Sequence, residues 1–141
     1  MRTIIFMVSL FVVSRVYAQK ISEKEVPAIV KSTLQKNFPH AQEVKWEKEK
    51  ENYEAEFEIK ETNYSLLIGA SGHVIETEME IKPEELPTKA KEYISKHYAG
   101  QKIKEAAKIT DSQNKITYEA EIKGKDLIFS NNGDFIKEKK D

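Results

Sequence analysis

The chain has 141 residues, no cysteine and a nearly balanced charge, with 23 basic and 24 acidic side chains. The absence of cysteine excludes a disulfide framework and also a lipid attached to a cysteine at a processed N-terminus. The basic residues are scattered and do not alternate with aromatic residues in a stripe, which argues against a nucleic-acid-binding surface.

Residues 1–18 have the pattern of a signal peptide. Arg2 precedes an apolar run over residues 4–13, and Val16 and Ala18 place small residues where a signal peptidase reads. The run is shorter than the roughly 20 apolar residues that a membrane-spanning helix needs. We expect cleavage after Ala18 and a periplasmic or secreted product of net charge −3 that is not membrane-associated. An uncleaved anchor is the alternative, because Arg15 lies unusually close to the cleavage point.

Two stretches of the remaining sequence repeat one another in the same order. The first copy contains Val26-Pro27, Leu34, Phe38, the tetrad Tyr53-Glu54-Ala55-Glu56 and Gly72. The second copy contains Leu86-Pro87, Ile94, Tyr98, the tetrad Tyr118-Glu119-Ala120-Glu121 and Gly133. Such a period indicates one supersecondary unit used twice. We predict repeats over 19–81 and 82–141 in one compact unit, since halves of about 60 residues are marginal alone.

Each copy begins with a helical pattern of apolar residues. The first predicted helix runs from Val26 to Phe38, with Pro27 in its first turn and Pro39 ending it. Ser22 and Glu25 have the spacing of a capping box, which indicates an earlier start, so the N-terminus stays open. The second predicted helix runs from Leu86 to Tyr98, and Gly100 suits its C-terminal end.

After each helix the apolar period becomes two, which is typical of strands. We predict strands at 43–48, 53–60, 63–68 and 74–81, and at 104–110, 116–123, 126–130 and 135–139. Val44, Trp46 and Ile75 are expected to point inward, and Thr62-Asn63 is expected to form a turn. The predicted fold is α+β: two tandem repeats of a helix plus a four-stranded antiparallel meander, with the helices on one face of the sheet or sheets. We favour one continuous sheet, because pairing across the copies removes two exposed edges.

The repeated order resembles the PepSY-like proteins of bacterial envelopes, which are described as similar to beta-lactamase inhibitors. The resemblance lies in the Val-Pro step, Phe38-Pro39, Val44-Lys45-Trp46, the first tetrad with Phe57, a strand led by Tyr64 and a glycine turn. It implies a secreted, non-catalytic binding module, in some cases associated with inhibiting or chaperoning a hydrolase. The second copy departs from the pattern, since it lacks the Phe-Pro step and a tryptophan.

Glutamates on alternate strand positions form the one polar pattern that indicates a function. They share the predicted sheet face opposite the helices with an apolar residue, and this face is our candidate partner surface. Its members are Glu54, Glu56, Glu58, Leu67, Glu76, Glu78, Glu80, Glu119 and Glu121. A solvated face that keeps the sheet soluble is the alternative. Divalent cations could also bridge such carboxylates, although the sequence signal for this is weak.

No catalytic or cofactor-binding motif is recognisable. His40, His73 and His97 do not have metal-ligand spacing, and Ser71 lacks a partner histidine and acid at a recognisable spacing. We therefore expect no enzyme activity, no cofactor and no metal. The sequence predicts a non-enzymatic exported module that binds a protein or peptide, in one form an inhibitor of an envelope protein or hydrolase. The alternative is a structural or sensory accessory of an envelope complex.

Overall fold

The computed structural model describes residues 18–140, which form one antiparallel sheet and two α-helices. The strands are β1 (Gln19–Ile21), β2 (Gln42–Glu49), β3 (Asn52–Ile59), β4 (Thr62–Gly69), β5 (Val74–Ile81), β6 (Glu105–Asp111), β7 (Ile116–Ile122), β8 (Lys125–Ser130) and β9 (Phe135–Lys140). The helices are α1 (Ala28–Asn37) and α2 (Thr88–His97). Within the described residues, no helix has the length and apolar character needed to cross a membrane.

The strands lie in the sheet in their chain order, from β1 to β9, and every neighbouring pair is antiparallel. The α+β class is therefore confirmed. The two copies join through β5 and β6, where Ile81 lies opposite Ala106 and Glu76 lies opposite Asp111. This pairing satisfies two strand edges that would otherwise be open to intermolecular pairing.

Strand β1 was not predicted, so the first copy contains one strand more than expected. Its three residues are too short to show an alternating pattern. Ile21 lies opposite Trp46, and Ile81 at the end of β5 lies opposite Ala106 in the same way. Strand β1 therefore corresponds to the last part of β5, and β5 pairs with strands of both copies. The predicted repeat boundary after residue 81 falls at the end of β5.

The capping box and Pro27, the two sequence signals for the start of the first helix, belong to two different elements. Ser22 and Glu25 form a capping box around a short 3-10 turn, Glu23–Glu25. The chain then extends through Val26, and α1 begins after Pro27. Since proline has no N–H to donate and a fixed φ, it suits the boundary between the two segments. The second copy repeats this arrangement with the 3-10 turn Pro83–Glu85 followed by Pro87 and α2.

The two helices cover the same face of the sheet and form one apolar core each. The first core contains Val26, Val30, Leu34, Trp46, Tyr53, Ala55, Phe57, Leu66 and Ile68. The second contains Leu86, Ala90, Ile94, Ala106, Ala120, Ile122, Leu127 and Phe129. Strand β5 links them, because Val74 packs against the first core and Ile81 against the second.

Three local predictions were wrong. Val44 is 36% exposed, because the register shifts between Gln42 and Lys45 and Glu43 adopts a φ of 52°. Val74 replaces Ile75 in the first core, since a second register shift lies where β4 meets β5. The turn before β4 is formed by residues 60–61, with φ values of 48° and 64°, and Thr62-Asn63 already belong to the strand. The spacing of apolar residues in the sequence does not indicate either register shift or the position of this turn.

The hairpin turn between β8 and β9 lies directly against the start of α2. Gly133 has a φ of +85°, and a Cβ added there would lie 2.8 Å from the Pro87 Cβ and 3.0 Å from the Ala90 nitrogen. Gly124 has a similar φ of +70°, but no atom lies within 4 Å of an added Cβ. An alanine would have a strained backbone at either position, but only at residue 133 would its Cβ also lie against α2.

We predict that Gly133→Ala lowers the free energy of unfolding by about 2–4 kcal/mol, through both positive φ and overpacking. Gly124→Ala is the matched control and should cost about 1 kcal/mol, since only the backbone conformation is strained. Urea unfolding followed by circular dichroism measures both values. Equal losses in the two variants would contradict the close packing of this turn against α2.

Candidate functional site

The sheet face opposite α1 and α2, here called the open face, carries all nine predicted partner-surface residues. Strand register shows this directly: Glu54 lies between Glu47 and Leu67, and Leu67 lies opposite Glu76. Glu56 is followed across the sheet by Ser65 and Glu78, and Glu58 is followed by Asn63. In the second copy Glu119 and Glu121 of β7 lie opposite Ala107 and Glu105. The face therefore extends continuously from one copy to the other.

The open face is less solvated than strand alternation alone implies. Glu56 is 7% exposed and Glu119 is 4% exposed. Glu80 is exposed, and the other predicted members are half-buried. Carboxylates that lose this much water need protons, hydrogen-bond donors or positive charges to stay in place.

Interactions between distant strands show that the sheet curls towards its open face. Glu76 on β5 interacts electrostatically with Lys139 on β9, and Glu78 interacts with Asp126 on β8. In a flat sheet these strands would be about 14–19 Å apart, because neighbouring strands are spaced by about 4.8 Å. The open face is therefore concave, and its side chains converge.

Burial and mutual repulsion raise the pKa values of the central carboxyls. Burial is the main cause for Glu78, whose pKa lies well above its ordinary value, and Glu119 and Glu54 add repulsion. Burial also raises the pKa of Glu76 to about 7, against the opposing effect of Lys139. Burial, followed by repulsion from Glu54 and Glu47, raises the pKa of Glu56 to about 7.

Ser65 and Asn63 donate hydrogen bonds to carboxylates of the open face. The Ser65 hydroxyl donates a hydrogen bond to Glu54, which partly offsets the burial that raises the pKa of that carboxyl. The Asn63 side-chain amide donates to Glu80 over 2.5 Å. Near Ser65 the curled surface forms a small, partly open cavity of about 20 Å³, enough for a water molecule. Its lining residues are Glu49, Glu54, Ser65, Leu67, Glu76 and Glu78.

Sequence reasoning missed several charged residues of the open face. The missed acids are Glu47 and Glu49 on β2, Glu105 and Asp111 on β6, and Asp126 on β8. The missed bases lie on outer strands of the sheet: Lys20 on β1, Lys45 on β2, and Lys137 and Lys139 on β9. The alternation of polar and apolar residues along β2, β6, β8 and β9 was the sequence signal that could have placed these residues on the open face. The face is thus acidic in its middle and carries lysines towards both edges.

Among residues 18–140, one group of carboxylates has the spacing to hold a metal ion. Glu47, Glu54 and Glu56 each offer an oxygen, and these oxygens lie within 4.8 Å of one another. All three side chains come from the β2–β3 hairpin, where Glu47 lies opposite Glu54. Directly opposed like charges destabilise a strand pair.

The histidines lie where the sequence predicted them, outside the open face. His40 is in a turn after α1, His73 is in the β4–β5 connection and His97 ends α2. We expected Ser71 to lack both a partner histidine and an acid; the structure places the His73 Nδ1 2.7 Å from its Oγ and so supplies the histidine alone. Both residues are exposed in the hairpin connection.

A family model described as "Putative beta-lactamase-inhibitor-like, PepSY-like" matches residues 14–76 and again residues 69–137. This chain belongs to the PepSY-like family. The two matches fit the tandem arrangement of the fold. They overlap at residues 69–76, which include the start of β5, the strand that pairs with both copies.

Solved structures from Bacteroides share the PepSY-like fold of this chain. One, described as a putative periplasmic protein of B. eggerthii, has a TM-score of 0.75 and 12% identity and covers 82% of this chain and 88% of its own. A DUF2874 family protein of B. uniformis has a TM-score of 0.73 and 16% identity, with coverages of 81% and 88%. A BLIP-like protein of B. fragilis has a TM-score of 0.63 and 20% identity, with coverages of 81% and 85%. No functionally curated protein matches the chain significantly.

The second PepSY-like copy replaces the missing Trp and Phe-Pro step with other aromatic contacts. Ala106 occupies the register position that Trp46 has in the first copy. In the second core Tyr93 stacks on Phe135, with ring centroids 4.5 Å apart, and also contacts Phe129 edge-on. Both copies therefore keep an aromatic core although their motifs differ.

We predict that this PepSY-like protein loses stability as pH rises from 5 to 8. The folded pKa values of Glu56 and Glu76 are raised from 4.5 to about 7, so the folded state binds more protons than the unfolded state across this window. Their stabilising contribution is complete below about pH 4.5 and is lost as pH passes about 7. After discounting for solvent screening, we expect Tm to fall by about 5 °C.

Thermal unfolding followed by circular dichroism at several pH values measures this change. The variant Glu56→Gln/Glu76→Gln should show a flatter dependence on pH, because neither side chain titrates. Glu84→Gln/Glu92→Gln, which changes two exposed glutamates outside the sheet, is the control and should follow the wild type. A wild-type Tm that rises towards pH 8 would show that the open face does not hold these carboxyls partly desolvated.

Proposed function

We propose that this PepSY-like protein is a non-enzymatic, exported binding module whose open face holds a basic segment of a partner protein in the cell envelope. One observation carries the proposal: carboxylates from several strands converge on a concave, uncovered sheet face. Glu54, Glu76 and Glu78 lie at its centre around the cavity that includes Ser65 and Leu67. A concave surface with few compensating charges at its centre favours a convex, positively charged ligand.

The distribution of charge specifies the ligand further. Carboxylates dominate the middle strands, while Lys137 and Lys139 lie on β9 at one side and Lys20 lies on β1 at the other. A complementary segment has basic residues at its centre and tolerates acidic residues at its flanks. Leu67, which is half-buried, adds apolar surface within the acidic region, whereas Ile128 is only 6% exposed and adds little. Apolar contacts surrounded by charge are typical of protein interfaces.

Export is supported by the N-terminal pattern and by a structural relative. Residues 1–17 lie outside the described residues, so the signal peptide and its cleavage after Ala18 stay predictions. Strand β1 begins at Gln19, the residue after the predicted cleavage point. The similar protein from B. eggerthii is described as periplasmic. We therefore assign the module to the periplasm.

A binding role without catalysis is supported by the family description, which names similarity to beta-lactamase inhibitors. Inhibition of an envelope hydrolase is the narrower form of this proposal. It requires a loop or side chain of the hydrolase to enter the concave face, as the shape and charge of that face allow. The Ser71–His73 pair does not take part, because it lies in the β4–β5 connection outside this face.

We predict that replacing Leu67 with a photo-crosslinking amino acid captures a specific envelope protein in cells. The same replacement at Ile29, an apolar residue that is 53% exposed on α1, is the control and should not capture that protein. Mass spectrometry of the crosslinked species identifies the partner. Identical products at both positions, or no product at Leu67, would contradict binding at the open face.

We further predict that Glu58→Gln/Glu121→Gln, which changes two half-buried glutamates of the open face, slows association with the captured protein at least tenfold at low salt. Fewer charges on this face reduce electrostatic steering, and the difference should shrink as salt increases. Glu84→Gln/Glu92→Gln removes the same charge outside the sheet and should leave association nearly unchanged. Biolayer interferometry at several salt concentrations measures these rates. Equal slowing in both double variants would indicate only an effect of net charge.

A further inference from the structure

The two outer edges of the sheet correspond to the two strand edges that join the copies inside the molecule. Phe135 of β9 lies opposite Phe129 as Val74 of β5 lies opposite Ile68, so β9 is the counterpart of β5 in the second copy. Strand β2 is likewise the counterpart of β6, because β1 pairs with β2 where the last part of β5 pairs with β6. The edge that β5 offers to β6 is open on β9, which pairs with β8 and no other strand among residues 18–140.

Strand β1 is a weak cover for the outer edge of β2. It pairs through three residues, Gln19–Ile21, whereas β5 pairs with β6 through six, residues 76–81. Gln19 and Lys20 are exposed, so Ile21, which packs against the first core, is the main apolar contact of β1. Short strand pairs with little buried surface are marginally stable. A longer strand can therefore compete with β1 for this edge.

The charges of β9 and β2 are complementary. Residues 137–139 of β9 read Lys-Glu-Lys, and residues 47–49 of β2 read Glu-Lys-Glu. An antiparallel pair with Glu138 opposite Lys48 brings opposite charges together at all three positions, and such cross-strand pairs are stabilising. The internal junction of β5 and β6 lacks this match and places two acids opposite each other.

This register lies two residues away from the one that β5 and β6 use. Strand β2 ends at Glu49, whereas β6 continues to Asp111, the counterpart of residue 51. The edge of the first copy is thus shorter by two residues, which accounts for the displacement. A shift by an even number of residues leaves every side chain on its own face of the sheet.

The side chains of the two edges lie on matching faces. Lys137 and Glu49 belong to the open face. Glu138 accepts a hydrogen bond from Tyr98 beside α2, and Lys48 lies over a tyrosine ring of the first core. Both of these residues are therefore on the helix side. Pairing of β9 with β2 of a second molecule would continue the sheet with its helices on one side.

We propose that β9 of one molecule adds to the edge of β2 in a second copy of this chain, and that β1 competes with it for that edge. The lysines of β9 hinder pairing with another β9, because like charges would meet. The two edges differ, so the contact is heterologous and can repeat from molecule to molecule. We expect a Kd of about 10⁻⁴ M, since the interface is small and β1 must leave. This inference goes beyond the proposed function and does not depend on it.

Sedimentation velocity at low salt, over about 0.01–1 mM protein, tests the pairing. The wild type should shift from monomers to dimers and longer species. Lys137→Glu and Glu49→Lys should each raise the Kd about tenfold, because like charges then face each other. An equimolar mixture of the two variants should associate as the wild type does, since each variant meets the opposite charge on the other. Lys115→Glu, an equal change of charge at an exposed turn residue, is the control and should associate normally.

A disulfide tests the competition by β1, because the chain has no cysteine of its own. Gln19→Cys/Lys48→Cys links residues that lie opposite each other in β1 and β2. The oxidised protein should stay monomeric, and its reduction should allow association. A wild type that is monomeric at every concentration, or a mixture of the charge variants that does not associate, would overturn the pairing. Equal association of the oxidised and reduced forms would overturn the assignment of the edge to β2.

Discussion

The pairing of β5 with β6 is the constraint on which the rest of the structure depends. It joins two copies, each too small to be comfortably stable alone, into one sheet with a shared strand. Because Val74 and Ile81 of β5 reach the two cores on the same side, both helices must cover that side. The opposite face then has no covering element among the described residues, and its whole width is available to a ligand.

That uncovered face combines burial with charge in an unusual way. A sheet that curls brings the side chains of its concave face together, and here many of those side chains are glutamates. Burial and repulsion raise the pKa values of Glu76 and Glu56 to about 7, so the face is destabilising when fully ionised. A surface that only kept the sheet soluble would use exposed charges, as Glu80 does. The protein keeps these partly buried carboxyls although they lower its stability when ionised, and this is the physical reason to regard the open face as a binding surface.

Much of the fold could be predicted from the sequence, because the repeat and the apolar period carry it. The eight strands found by alternation and both helices are present with small boundary shifts, and the tetrads place Glu54 and Glu119 on the predicted face. Strand β1 is too short to have a period, and the register shift at Val44 depends on the backbone of Glu43. Curvature is a property of all the strands together. The convergence of Glu76 with Lys139, and hence the shape of the site, could not be read from any local pattern.

The differences between the two copies bear on the proposed function more directly than their likeness does. Residues that face the helices keep their apolar or aromatic character, as the exchange of one aromatic cluster for another shows. On the open face, Glu76 and Glu78 of β5 are matched by Lys137 and Lys139 of β9, so the same scaffold position carries opposite charge. Part of this reversal acts within the molecule, because Lys139 lies near enough to Glu76 to oppose the rise in the pKa of that carboxyl. Under the proposed function the reversal also sets the ligand, since a segment that lies across both copies then meets charges of opposite sign along its length.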